Sequence, residues 1–266
     1  MAGTSPDAIH IRIMEIPELI RTLLTVPLPE NYRTARALHF QAAHFSRPFL
    51  DREEFQRLNG FKALKKQVEW LCGRYCAKTL ARRILMPEPH RKQGPDPVLN
   101  TGLNQGLSRN WGKDLVRIQI GYMDQGAPFL VRFPDHCLSL SHSGAYTAAA
   151  LAGAPGTMMG IDIEAVGRRP DAAFMRTAFT EREIRAMGDG AYEVFRCWTL
   201  KEAYLKYIRK GFNESLHRVE IIGGRIFHNG REQDLVCRSL DLDNGYIMGI
   251  VSEPGTGIAL TGPAAR

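Results

Sequence analysis

The chain has 266 residues, 44% of them apolar, with 25 glycines and 15 prolines, the profile of a folded chain of two modest lobes rather than of a fibre or a disordered tail. Its net charge is +7, and no apolar run reaches the roughly 18 residues of a membrane span; residues 146–163 come nearest, interrupted by Gly153, Pro155 and Gly156. Near the N-terminus, Arg12 and Glu15 break up the short apolar stretch around Ile11 and Ile13, so no signal peptide is expected and the cytoplasm is the expected compartment.

Residues 51–85 read as helical, with Asn59-Gly60 as a break and Leu64, Val68, Leu71, Tyr75, Leu80 and Ile84 at helical spacing. Cys72 and Cys76, four apart, fit neither a CxxC pair nor a zinc site, and the five cysteines are expected to be free, mostly buried thiols. Between residues 57 and 92 ten basic residues face only Glu69 and Glu88, so this segment carries +8 and the rest of the chain −1. Arg74, Lys78 and Arg82 repeat every four residues, which fits a solvated helix face or a docking surface for phosphates or an acidic partner. Nucleic acid is not expected, because no aromatic residues are interleaved as stacking platforms.

Residues 86–114 are rich in Pro, Gly and Asn and read as a long loop of unassigned role. From Leu115 the period changes to two, through Val116, Ile118 and Ile120, with turn signals at Gly121 and Gln125-Gly126. Strand-like runs follow at 138–140 and 145–151. Residues 192–209 form a second strong helix pattern closed by Gly211, and further strand-like runs lie near 219–222, 235–240 and 246–251. Helix then strands, twice over, predicts an α+β fold of two similar lobes in a pseudo-twofold arrangement, each a long helix on a small antiparallel sheet. The expected lobes are residues 1–155 and 156–266, with the seam near 153–160.

Four segments carry candidate chemistry. In Gly160-Ile161-Asp162-Ile163-Glu164 the acids alternate with isoleucines, so on a strand Asp162 and Glu164 share a face. Adjacent carboxylates repel unless a cation lies between them, and hard oxygens suit Mg²⁺; an ordinary alternating strand is the plainer alternative. Glu202 and Lys206 stand four apart on the second helix, either as a surface ion pair or as a carboxylate beside an ammonium that meets a phosphate. Thr180 and Glu183 fit a helix capping box, which needs no catalytic role. Ser141-His142-Ser143 follows a strand without a G-x-S-x-G elbow, so these side chains serve phosphate binding better than hydrolysis.

In this order the segments resemble the Sfp-type 4'-phosphopantetheinyl transferases, whose pattern runs E-F-L-x-G-R, S-H-S, G-[IV]-D-[IV]-E, F-x-x-x-E and W-[ST]-x-K-E-A-x-x-K. The matching residues are Glu69 to Arg74, Ser141 to Ser143, Gly160 to Glu164, Phe179 to Glu183 and Trp198 to Lys206. The resemblance implies that family's fold and the transfer of phosphopantetheine from coenzyme A to a serine of an apo acyl or peptidyl carrier protein, the holo-acyl-carrier-protein synthase reaction, releasing 3',5'-ADP. It implies Asp162, Glu164 and Glu202 as ligands of Mg²⁺ (or Mn²⁺), with Glu202, Lys206 and Glu183 as catalytic residues and either Glu202 or Glu183 as the base. Lys65, Lys66, Arg74, Ser141, His142 and Lys206 would contact coenzyme A. It also implies a monomer, because one chain carries both halves of the cleft, and an acidic carrier as partner for the basic segment. The family's G-[KR]-P turn is Gly126-Ala127-Pro128 here, so one phosphate contact is missing or comes from another residue such as Arg132. A metal-dependent nuclease and a non-catalytic basic binding module are the rival classes; the first usually places acid-x-Lys on a strand, and the second leaves the three acids unexplained. Which carrier is served, in fatty acid, polyketide or nonribosomal peptide synthesis, is not legible.

Overall fold

A helix laid on a small sheet occurs twice along the chain. The structure, a computed structural model, describes residues 7–86 and 111–262. The first unit contains β1 (Ile9–Glu15), α1 (Ile16–Leu23), α2 (Arg52–Gly60) and the 22-residue α3 (Leu64–Leu85). It continues through α4 (Trp111–Arg117), the hairpin β2 (Ile120–Tyr122) and β3 (Pro128–Leu130), and the hairpin β4 (Leu138–Ser143) and β5 (Tyr146–Ala152). The second unit contains β6 (Met159–Ala165), α5 (Ala172–Ala178), α6 (Glu181–Met187) and the 17-residue α7 (Ala191–Tyr207). A meander of β7 (Val219–Ile222), β8 (Arg225–His228) and β9 (Arg231–Glu232) follows, then β10 (Val236–Leu242), β11 (Tyr246–Ser252) and β12 (Ile258–Thr261).

The two main sheets have strand orders β12-β1-β5-β4 and β10-β11-β6. Their pairings are antiparallel except that of β12, which runs parallel to β1. The chain therefore passes from one sheet to the other between β5 and β6, and its last described strand returns to the first sheet. Among the described residues no helix is long and apolar enough to cross a membrane.

Burial explains the strand sequences. All seven residues of β5 are buried. Ala149 and Leu151 join the core under α3, while Ala148, Ala150 and Ala152 join Ile9, Ile11 and Ile13 of β1, Ile161 and Ile163 of β6 and Ile250 of β11 in a core shared by both sheets. Alternation on β1 thus marks a central strand, a signal that the sequence reading passed over. On the other side of the second sheet, Leu200, Ala203 and Tyr204 of α7 build a third core.

Two glycines let α7 lie unusually close to that sheet. A Cβ at Gly160 would overlap the carbonyl oxygen of Ala203, and one at Gly249 would stand 2.6 Å from the carbonyl carbon of Thr199. Backbone therefore packs on backbone at both points, which brings Glu202 and Lys206 over β6.

Some expectations change. The alternation from Leu115 is mostly helical, because Leu115 and Ile118, both buried, are three apart on one face of the chain at the end of α4, and the strand begins only at Ile120. Of the presumed loop 86–114, residues 87–110 lie outside the described residues and 111–114 are helical. The helix expected to close at Gly211 ends at Tyr207, and Arg209 already takes a left-handed backbone, φ +58°. All five cysteines are free, and four are buried.

Gly160→Ala is predicted to destabilise the protein by about 1–3 kcal/mol through overpacking, measured by chemical denaturation. Unchanged stability would show that α7 can lift off β6.

Candidate active site

β4 and β6 are the outer strands of their sheets, and they lie side by side. An outer strand leaves backbone N–H groups without a ladder partner. Here Ser139, Ser141 and Ser143, alternating along β4, accept hydrogen bonds from the N–H groups of Ile161 (3.0 Å), Ile163 (3.2 Å) and Ala165 (3.3 Å). Two of these hydroxyls then donate onward, Ser141 to Asp162 Oδ1 and Ser143 to Glu164 Oε2, each at 2.7 Å. Because a hydroxyl is both donor and acceptor, one residue type joins the sheets and aims the acids.

From above, α7 adds Lys206, whose Nζ donates to Asp162 Oδ1 at 2.7 Å, and Glu202. One oxygen from each of Asp162, Glu164 and Glu202 lies within 4.8 Å of the others. Asp162 is 2% exposed, and its Oδ2 has no hydrogen-bond partner. Burial raises the pKa of Glu164, and burial together with the charge of Asp162 raises that of Glu202 to about 8. Carboxylates this close cannot all ionise unaided. An orphaned buried oxygen, an all-oxygen donor set and a position open to an anionic substrate fit a hard divalent cation.

The acids open into a cleft of about 480 Å³ between the two units. Its far wall comes from α3 and the β2–β3 hairpin. Arg74, 2% exposed, donates to the Ile120 carbonyl at 3.0 Å, and its guanidinium stacks on Trp70 and Tyr122 at 4.9 and 5.0 Å from the ring centroids. Burial lowers its pKa. Lys66 pairs with Glu69 at 3.2 Å, and His142 Nδ1 lies 3.9 Å from Glu69, with its pKa lowered by burial.

The structure therefore gathers Lys66, Arg74, Ser141, His142, Asp162, Glu164, Glu202 and Lys206 around one cleft. It does not bring Lys65 there; that side chain is half exposed and reaches Glu69 at 3.6 Å. Nor does it bring Glu183, which corrects its expected catalytic role. Glu183 is 0% exposed and accepts from the N–H groups of Thr180 (2.8 Å) and Ile221 (2.9 Å) and from Lys201 Nζ (2.7 Å). Its capping box forms as the sequence predicts. The first unit repeats the device: Glu54, at the third position of the capping box of α2, accepts from buried Lys78 of α3. Burial lowers the pKa of both lysines, against the opposing pull of their glutamates.

Within the +8 segment only the four-residue repeat is corrected as an outward face, since Arg57, Lys62, Lys65, Lys66 and Arg83 are exposed. Arg74, Lys78 and Arg82 are all buried, and Arg82 holds Asp114 at 3.0 Å. Arg132 is exposed and stands apart from the cleft, whereas Ala127 lines it. Residues that the reading did not single out as site residues, Tyr122 and Arg209, line it too. The basic residue at 209, after a helix end, carried no sequence signal that pointed to the cleft.

Residues 158–251, which contain Asp162, Glu164, Glu202 and Lys206, match the family model of the 4'-phosphopantetheinyl transferase superfamily. No curated protein matches the chain. The geometry yields a pH prediction. With chelator present, Glu202 stays protonated in the folded protein up to about pH 8, while in the unfolded chain it ionises near its ordinary 4.5. The contribution of Glu202 to stability therefore falls as pH rises from about 4.5 to about 8 and levels off above. Thermal melts in EDTA across that range are expected to show the fall, and Glu202→Gln is expected to flatten it; equal slopes in the two proteins would contradict the assignment.

Proposed function

We propose that this chain, whose residues 158–251 match the family model of the 4'-phosphopantetheinyl transferase superfamily, is an Sfp-type enzyme that moves 4'-phosphopantetheine from coenzyme A to a serine hydroxyl of an acyl or peptidyl carrier protein. The observation that carries the reading is the carboxylate trio Asp162, Glu164 and Glu202 beside Lys206 at the base of a cleft with a cationic far wall.

In this reading the carrier serine oxygen attacks the phosphorus that bears pantetheine. The bond from that phosphorus to the bridging oxygen of the diphosphate breaks, and 3',5'-ADP leaves with the bond electrons. Glu202 takes the serine proton, since a serine hydroxyl is a poor nucleophile until its proton is accepted. Lys206 holds a non-bridging oxygen of the transferred group and steadies its developing charge. Asp162 and Glu164, aimed by Ser141 and Ser143, would together with Glu202 hold Mg²⁺ or Mn²⁺, which would neutralise diphosphate charge. His142 and Lys66 face the nucleotide end, and the Arg74–Trp70–Tyr122 stack keeps that wall rigid. Both walls belong to one chain, which supports a monomer. Five free thiols support a reducing compartment such as the cytoplasm.

Incubation with an apo carrier, coenzyme A and Mg²⁺ is expected to add about 340 Da to the carrier's intact mass, the increment of one phosphopantetheine, and EDTA is expected to prevent it. Asp162→Asn and Glu202→Gln should each lose about a hundredfold or more in rate while staying folded. Glu183→Gln should show the reverse, a loss of about 3–5 kcal/mol in stability from its broken buried pair. Absence of the mass gain on fatty-acid, polyketide and peptidyl carriers alike, with no binding of coenzyme A, would refute the reading.

A further inference from the structure

Four basic side chains of the lysine and arginine type line the cleft among the described residues: Lys66, Arg74, Lys206 and Arg209. Three are compensated by an acid. Lys66 lies 3.2 Å from Glu69, Lys206 2.7 Å from Asp162, and Arg74 3.9 Å from Glu54 while donating to a carbonyl. Arg209 differs. Its Nη1 rests on the Met123 sulfur at 3.4 Å, and among the described residues no carboxylate stands within ion-pair distance of it. A thioether is a weak acceptor, so the planar fork keeps most of its donors uncommitted.

The backbone at this residue is a second, independent observation. Arg209 has φ +58°, with its N–H donating to the Lys206 carbonyl at 3.1 Å while Lys210 N–H reaches back to Leu205 at 3.2 Å. That left-handed place after a helix suits glycine, which adopts it without steric cost, whereas an arginine does not. A strained position that presents a charged side chain to a cleft points to use of that side chain.

Placement says what the side chain would meet. Glu202 and Lys206 share one face of α7, and Arg209 follows two residues after the end of the helix, lining the same cleft. There it meets the β2–β3 turn at Met123, and the turn's contributions to the cleft, Gln125, Gly126, Ala127 and Pro128, carry no charge. Resting on the coenzyme A reading above, we infer that Arg209 binds the nucleotide-side phosphate of the coenzyme A diphosphate, next to the phosphoryl group that Lys206 holds. The guanidinium fork suits two phosphate oxygens at once. Arg209 thereby sets affinity for the donor and steadies the charge on the departing 3',5'-ADP.

Calorimetry in Mg²⁺ with coenzyme A and with dephospho-coenzyme A, on wild type, Arg209→Gly and Arg209→Lys, tests this. Arg209→Gly should melt no lower than wild type, because it relieves the backbone, yet bind coenzyme A about ten- to a hundredfold more weakly. Arg209→Lys should fall between. The same factor should be lost with dephospho-coenzyme A, which keeps the diphosphate but lacks the 3'-phosphate, and the KM for the carrier should stay unchanged. Equal binding by wild type and Arg209→Gly, a loss that vanishes with dephospho-coenzyme A, or a change confined to the carrier's KM would each overturn the assignment. Wild type that binds neither ligand would overturn the coenzyme A reading itself, and this inference with it.

Discussion

Three serine hydroxyls hold the molecule together where its two sheets meet. Ser139, Ser141 and Ser143 stand where a strand ladder would otherwise run, and each accepts one backbone N–H of β6. A continuous ladder would have closed the gap between β4 and β6, with no side chain to orient the acids. Instead the same contact that joins the units points Asp162 and Glu164. Glycines at 160 and 249 then let α7 settle until Lys206 reaches Asp162. The seam thus orients two of the three acids, and α7 brings the third. A change at the seam should reach the chemistry before it unfolds either lobe.

The two units share more than an outline. In each, a short helix begins with a capping box whose glutamate is gripped by a buried lysine of the following long helix: Asp51–Glu54 with Lys78, and Thr180–Glu183 with Lys201. A buried ammonium is costly without a partner, so each pair fixes one angle between two helices. The repetition identifies Glu183 as part of the scaffold, since Glu54 does the same work in the other unit. The units also differ: the acids sit on β6 and α7, while α3 of the first unit supplies Arg74, Trp70 and Lys66 to the opposite wall.

Much of this was legible in the residues. Helical spacing located α3 and α7, strand-like runs located β4 and β5, and the pairing of Asp162 with Glu164 on one face of β6 follows from the two-residue period. The burial of Arg74, Lys78 and Arg82 was not legible, because a charge every four residues looks the same on a solvated face as on one met by Glu54 and Asp114 from elsewhere in the chain. Strand β12 was missed for a similar reason: four residues at the chain's end carry little pattern, and their partner is β1, some 250 positions away. Arg209 was missed because its significance lies in a backbone angle, which its residue type hides.

If the carboxylates of Asp162, Glu164 and Glu202 hold a divalent cation, its affinity must depend on the serines that aim two of them. Calorimetric titration with Mn²⁺ of wild type, Ser141→Ala and Asp162→Asn tests it most directly. Wild type should bind one ion strongly per chain, Ser141→Ala about ten- to a hundredfold more weakly, and Asp162→Asn should show no strong binding. Mn²⁺ affinities that are the same in all three proteins, or no binding to wild type, would contradict it.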